Sequence, residues 1–323
     1  MLAPATDIHY TPFASPTPIQ CPFPVVPWLT HNHNDNSFQV VGPSGPLVPV
    51  SLEDHGQVKN KAPPLPFHTI KQIARSDYHG LRGKKKIDVF QLATYQGRST
   101  IRDSTNGCTV ISPLVAVHHL NSEGAGIADM KIEQIIDEIA PVILSRVRNK
   151  LGLAGHALII PSDVHDYMVD EKILKQDMFV GVCGGNLLDS EHVEEFLNLL
   201  ENGEDQQPSD QEEKKDTSKK VAAALFFHEH VVSILKVVLP DGSMWYDLVD
   251  SMPTRFQTAS TESMCASRTR CKDRESLRSL LYWYACEKFS GADAQYIDSN
   301  EWDDNMCDFD PRVFQGFVWK ESS

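Results

Sequence analysis

The sequence predicts an α+β domain in which a helix carrying a single cysteine packs on an antiparallel sheet. Ile87–Tyr95 largely alternates apolar and polar residues, the period of a half-buried strand. The β-branched run from about His230 to Leu239, the turn Pro240-Asp-Gly-Ser243 and the segment Met244–Asp250 read together as an antiparallel hairpin. Helical spacing of apolar residues recurs at Met130–Leu151, Leu187–Leu200 and Ser276–Phe289.

Residues 1–68 hold a disproportionate share of the prolines, densest at Pro63-Pro-Leu-Pro-Phe67, and predict an extended, partly disordered arm ahead of a single domain spanning 69–323. The strand from Ile87 leads into the polar turn Asp103-Ser-Thr-Asn-Gly107 and then into the apolar run Cys108–Leu120. A thiol at a helix N-terminus faces unpaired backbone N–H groups and the positive end of the helix dipole, which favour the thiolate. In Met130–Leu151 one apolar stripe (Ile132, Ile135, Ile136, Ile139, Val142, Ile143, Val147) predicts a core helix kinked at Pro141. Leu187–Leu200 offers Asp189 or Ser190 as an N-cap and an inward face of Val193, Phe196, Leu197 and Leu200. Glu201–Lys220 has almost no apolar residue and predicts a disordered, charged surface insertion. Ser276–Phe289 turns Leu277, Leu280, Leu281, Tyr284 and Ala285 inward, and Arg312–Trp319 predicts a closing strand.

With 323 residues and 41% hydrophobic content the chain can bury a sizeable core. A net charge of −14 argues against a nucleic-acid partner, since phosphate neutralisation needs an excess of Lys and Arg. Arg82–Lys86, the one basic run, reads as a solvated loop before a strand. No apolar stretch approaches the ~18 residues of a membrane span, so no membrane partner is expected. The seven cysteines are widely spread with no C-x-x-C pair, which fits reduced thiols in a cytoplasmic or nuclear setting and predicts neither metal nor cofactor.

A thiol peptidase needs a thiolate, an imidazole that shuttles the proton and a third group that orients the imidazole. Cys108 supplies the first. The hairpin supplies the others, because the start of one antiparallel strand lies beside the end of the next and so brings His230 toward Asp250. Each has rivals. Cys183 sits in a Gly-rich turn, and His228 stands two residues before His230 on the same expected strand face. His118 and His119 follow the cysteine, and Asp247 lies on the other face of the strand from Asp250. His228-Glu-His230 has the alternation of a strand chelate but no third ligand at suitable spacing.

The order Cys108, His230, Asp250 resembles that of papain-like cysteine peptidases of the deubiquitinase type. The stretch Asn106-Gly-Cys-Thr-Val-Ile-Ser-Pro-Leu-Val-Ala116 is distantly similar to the Asn-Gly-Pro-Cys-Pro-Leu-Leu-Ala motif of the MINDY deubiquitinases. The resemblance implies a papain-like fold, thiol-dependent cleavage of a peptide or isopeptide bond, and ubiquitin or a ubiquitin-like modifier as the protein substrate. The chain departs from the motif in having no proline directly before Cys108. The family's oxyanion glutamine falls on Asp103, a donor only when protonated because its carboxylate would repel a developing oxyanion, so backbone N–H groups or Asn106 are the other expected donors. Two other readings use the same residues: a transglutaminase-like acyltransferase, distinguished only by its acyl acceptor, and a catalytically inactive papain-like binding module.

Overall fold

The computed structural model describes residues 65–98, 104–154, 157, 159–203, 219–257, 262–304 and 310–322, all within the unit Ala62–Ser323. Residues 1–64 of the expected arm and 204–218 of the expected insertion lie outside the described residues.

The centre is a seven-stranded antiparallel sheet. Its strands are β1 (Ile87–Gln91), β2 (Phe179–Asn186), β3 (Val221–Phe227), β4 (His230–Val238), β5 (Met244–Gln257), β6 (Glu262–Cys271) and β7 (Val313–Lys320), in the order β1-β6-β5-β4-β3-β7-β2. The predicted β4–β5 hairpin is present, paired from Val238↔Met244 to Ser233↔Val249. Its turn is closed by the bond from the Leu239 N–H to the Ser243 carbonyl (2.8 Å), with Gly242 at φ 82°. The apolar run from Val221 is itself a strand, which a two-residue turn at His228 and Glu229 folds back onto β4. Both turn residues have left-handed φ (51° and 59°), the hand that suits the twist of paired strands.

Helices cover both faces. On one lie α2 (Cys108–Leu120), α3 (Asp129–Gln134), α4 (Ala140–Leu151) and α5 (Pro161–Asp170). Their buried residues, among them Val115, Ile132, Leu144 and Met168, join Val231, Leu235 and Val249 of the sheet. On the other lie α1 (Phe67–Gly83), α6 (Ser190–Asn202) and α7 (Arg274–Lys288), whose Tyr78, Phe196 and Leu281 join Val232, Ile234, Tyr246 and Leu248. A short α8 (Gly291–Ser299) follows α7 and buries none of its residues.

Several elements correct the sequence reading. The arm does not reach residue 68: Phe67 and His68 open α1, which starts directly after the proline run because the Pro66 carbonyl accepts from Thr69 and Ile70 N–H. Glu201 and Asn202 end α6 rather than opening an insertion. At its other border Lys220 is buried, its ammonium on the Ser122 carbonyl. At Pro141 the helix relaxes through a π turn, Ile135–Ile139, in which the Ala140 N–H reaches back to the Ile135 carbonyl. Asp189 caps α6, accepting from Glu191 and His192 N–H.

Asp247 on β5 is a fully enclosed charge of the sheet. It accepts from Arg268 Nε (2.9 Å) and Arg270 Nε (2.9 Å), while Arg268 also binds Asp129 (2.6 Å) and the Ile127 carbonyl (3.1 Å). Asp247→Ala would take the buried carboxylate from Arg268 and Arg270, leaving the half-exposed Asp129 as the carboxylate on Arg268, and its expected cost is about 3 kcal/mol. Urea unfolding checks this, and a variant within 1 kcal/mol of the parent, as at an ordinary surface site, would contradict it.

Candidate active site

Cys108 is the first residue of α2, a helix buried at every position except His118. An apolar surface on all sides makes it a central helix, so its N-terminal turn must be fastened from inside. Gln96 Nε2 donates to the Ser104 carbonyl (3.0 Å), and buried Arg148 on α4 donates to the Thr105 carbonyl (2.7 Å). Asn106 takes a left-handed φ of 57°, which asparagine tolerates, and donates from Nδ2 to the Ala157 carbonyl (3.4 Å). At Gly107 a Cβ would lie 2.9 Å from the Ser104 oxygen and 3.2 Å from Gln96 Cδ, so only glycine lets the chain pass here.

One turn further along α2, Ser112 Oγ donates to the Val231 carbonyl (2.9 Å) and the Ser112 carbonyl accepts from Ser233 Oγ (3.1 Å). These bonds register α2 against β4 beside His230. His230 and Asp250 lie past the last β4–β5 rung, and there His230 Nε2 meets Asp250 Oδ1 at 2.8 Å, both residues buried. Asp250 Oδ1 also accepts from the Met252 N–H (2.9 Å). The Cys108 thiol lies close enough to the same imidazole to act on its charge, and Asp250 engages the ring at Nε2.

Burial opposes the charge on His230, but the bonds and charges of Asp250 and Cys108 prevail and push it up to about 9. Burial likewise opposes the charge on Asp250, yet the hydrogen bond and charge of His230 hold it below the usual carboxylate range. From the other layer α7 turns Tyr284 toward the pair. Its buried hydroxyl is pushed well up by burial and by the nearby Asp250 and Cys108.

The structure thus brings together Cys108, His230 and Asp250 and separates their rivals. Cys183 lies on β2, three strands from β4. His118 and His119 end α2, about 15 Å from its start at 1.5 Å per residue. His119 is fully buried on the Lys236 carbonyl (2.9 Å) and held down to about 4 by that burial. His228 is not on a strand face beside His230: it sits in the β3–β4 turn and bonds Asp293 (3.1 Å). The chelate pattern therefore dissolves, and no group of three metal-binding side chains occurs among the described residues. Asp247 belongs to the arginine cluster.

Two expectations about the site need correction. Asp250 does not close its strand: β5 continues to Gln257 across a register shift between Asp250 and Thr254. Asn106 directs its amide to Ala157 rather than into the site, and Asp103 lies outside the described residues. The side-chain amide beside the turn that carries Cys108 is instead Gln96, which sequence reading missed. It stands twelve residues before the cysteine, and nothing local in the sequence marks it. The Thr109, Val110 and Ile111 N–H groups are engaged by the Asn106 and Gly107 carbonyls, which leaves the Cys108 N–H as the first-turn donor beside it.

No protein-family model matches the chain, and no curated protein is recognisably similar to it. No helix among the described residues is long and apolar enough to cross a membrane.

Because the folded value for His230 lies above its ordinary 6.5, the pairing stabilises the fold fully below about 6.5 and is lost as pH rises through about 9. Asp250→Asn is expected to bring the imidazole titration, followed by NMR, down well below 9, and to remove that alkaline loss of stability. An unmoved titration would contradict the pairing.

Proposed function

We propose that the chain is a cysteine peptidase of papain-like architecture that cleaves a peptide or isopeptide bond, with ubiquitin or a ubiquitin-like modifier as substrate. The observation that carries the chemistry is the buried line of Cys108 at a helix N-terminus, the His230 imidazole and the Asp250 carboxylate. The substrate class rests on the resemblance around Asn106–Ala116.

In this reading Cys108 gives its proton to His230 and its sulfur attacks the substrate carbonyl carbon, forming a tetrahedral oxyanion. The C–N bond then breaks, His230 returns the proton to the leaving amine, and an acyl-thioester remains on Cys108. Water, deprotonated by the same imidazole, attacks the thioester and restores the thiol. Asp250 holds the ring through Nε2 and stabilises the imidazolium, as the third member of a triad does. The oxyanion would be met by the Cys108 N–H and by Gln96. One amide hydrogen of Gln96 is held by Ser104, and a carboxamide nitrogen carries a second.

Labelling with a ubiquitin-derived electrophile tests the whole reading: an adduct is expected with the parent chain and with neither Cys108→Ala nor His230→Ala. A thiol inert both to this probe and to small alkylating agents would leave a binding module. Gln96→Ala is expected to slow acylation by about 10²–10³-fold, the usual effect of losing one oxyanion donor, and an unchanged single-turnover rate would remove Gln96 from that role.

A further inference from the structure

We propose that Ser251 is a positioning residue for the Gln96 amide, so that two consecutive residues of β5, Asp250 and Ser251, orient the imidazole and the oxyanion donor respectively. This rests on the peptidase reading above. Consecutive strand residues point to opposite faces, and here each face is used. Asp250 turns to His230, while Ser251, buried to 1% exposure, donates from Oγ to Gln96 Oε1 at 3.1 Å. The backbone joins the same two residues again, with the Gln96 N–H on the Ser251 carbonyl at 2.7 Å.

The two ends of the Gln96 amide are thereby assigned different tasks. The Ser104 carbonyl can only accept, so it fixes the NH2 end toward the turn that carries Cys108. Ser251 anchors the oxygen end, and accepting that bond polarises the amide so that its N–H groups donate more strongly. Without the hydroxyl, Oε1 would be left unpaired beside the buried strand and the side chain would be free to swing away from the turn. The segment that carries Gln96 is held from behind as well. The Ala93 N–H donates to Glu133 (2.6 Å), and the Thr94 hydroxyl donates to Asp137, so the Gln96 backbone stays in place when only its side chain is released.

Two reactions of Cys108 separate this role from a structural one. Alkylation by iodoacetamide displaces iodide at a saturated carbon and forms no oxyanion, whereas acylation by 4-nitrophenyl acetate passes through one. Ser251→Ala is expected to slow acylation by about tenfold, a fraction of the effect of removing the donor itself. Alkylation should stay within about twofold, and Ser251→Thr should restore acylation. In a Gln96→Leu background Ser251→Ala should cause no further loss, because the two residues act as one unit. Equal losses in both reactions, no loss in acylation, or the same loss in the Gln96→Leu background would overturn the proposal. If Ser251→Ala does not fold, Ser251→Thr against Ser251→Val makes the same comparison with side chains of one shape. Alkylation of Cys108 indifferent to His230→Ala would instead overturn the peptidase reading, and this proposal with it.

Discussion

A helix buried on nearly every side must find partners for its polar groups inside the protein, and in α2 that requirement organises the rest of the molecule. Ser112 meets it by exchanging hydrogen bonds with the Val231 carbonyl and the Ser233 hydroxyl, in a layer otherwise filled by Val110, Leu114, Val115 and Leu235. Apolar packing alone is non-directional and would let the helix slide or rotate. The bonds from Ser112 to the Val231 carbonyl and from Ser233 to the Ser112 carbonyl remove that freedom one turn from Cys108 and one to three residues from His230, so the helix start and the strand start are held together by the packing of the core.

The sheet holds two buried aspartates three residues apart on β5, and their surroundings differ sharply. Asp247 is enclosed by Arg268 and Arg270, with the Arg270 guanidinium stacked 4.3 Å from the Trp245 ring, so its charge is neutralised within a fixed structural cluster. Asp250, three residues later and on the other face, has only an imidazole and a backbone N–H at its Oδ1. The partner of Asp250 can gain or lose a proton, whereas permanently charged arginines fix Asp247.

Much of this was legible in the sequence because it follows from local pattern. The β4–β5 hairpin, α6 with its Asp189 cap, the inward face of α7 and the closing strand β7 all appear where periodicity and turn residues predict them. The helix at Cys108 does too. What escaped lacked such a pattern. Helix α1 is amphipathic, yet the proline run before it disguised its start, and α8, with no buried residue, offers no apolar stripe to read. The His228-Glu229 turn was hidden inside one long apolar run, because neither residue is the glycine or asparagine that usually signals left-handed φ.

For the candidate site, residue types and their order along the chain determined that Cys108 would start a helix and that His230 and Asp250 would lie near each other across a hairpin. These are consequences of hydrophobic period and strand pairing, which act over a few residues. Tertiary structure alone decided that the helix and the hairpin meet, that His228 goes to Asp293 and His230 to Asp250, and that Gln96 and Ser251 close around the turn before Cys108. Those choices depend on which faces of separate elements pack together and on where a register shift re-aims β5 after Asp250. Such contacts are made between residues far apart in the chain, and no local period encodes them.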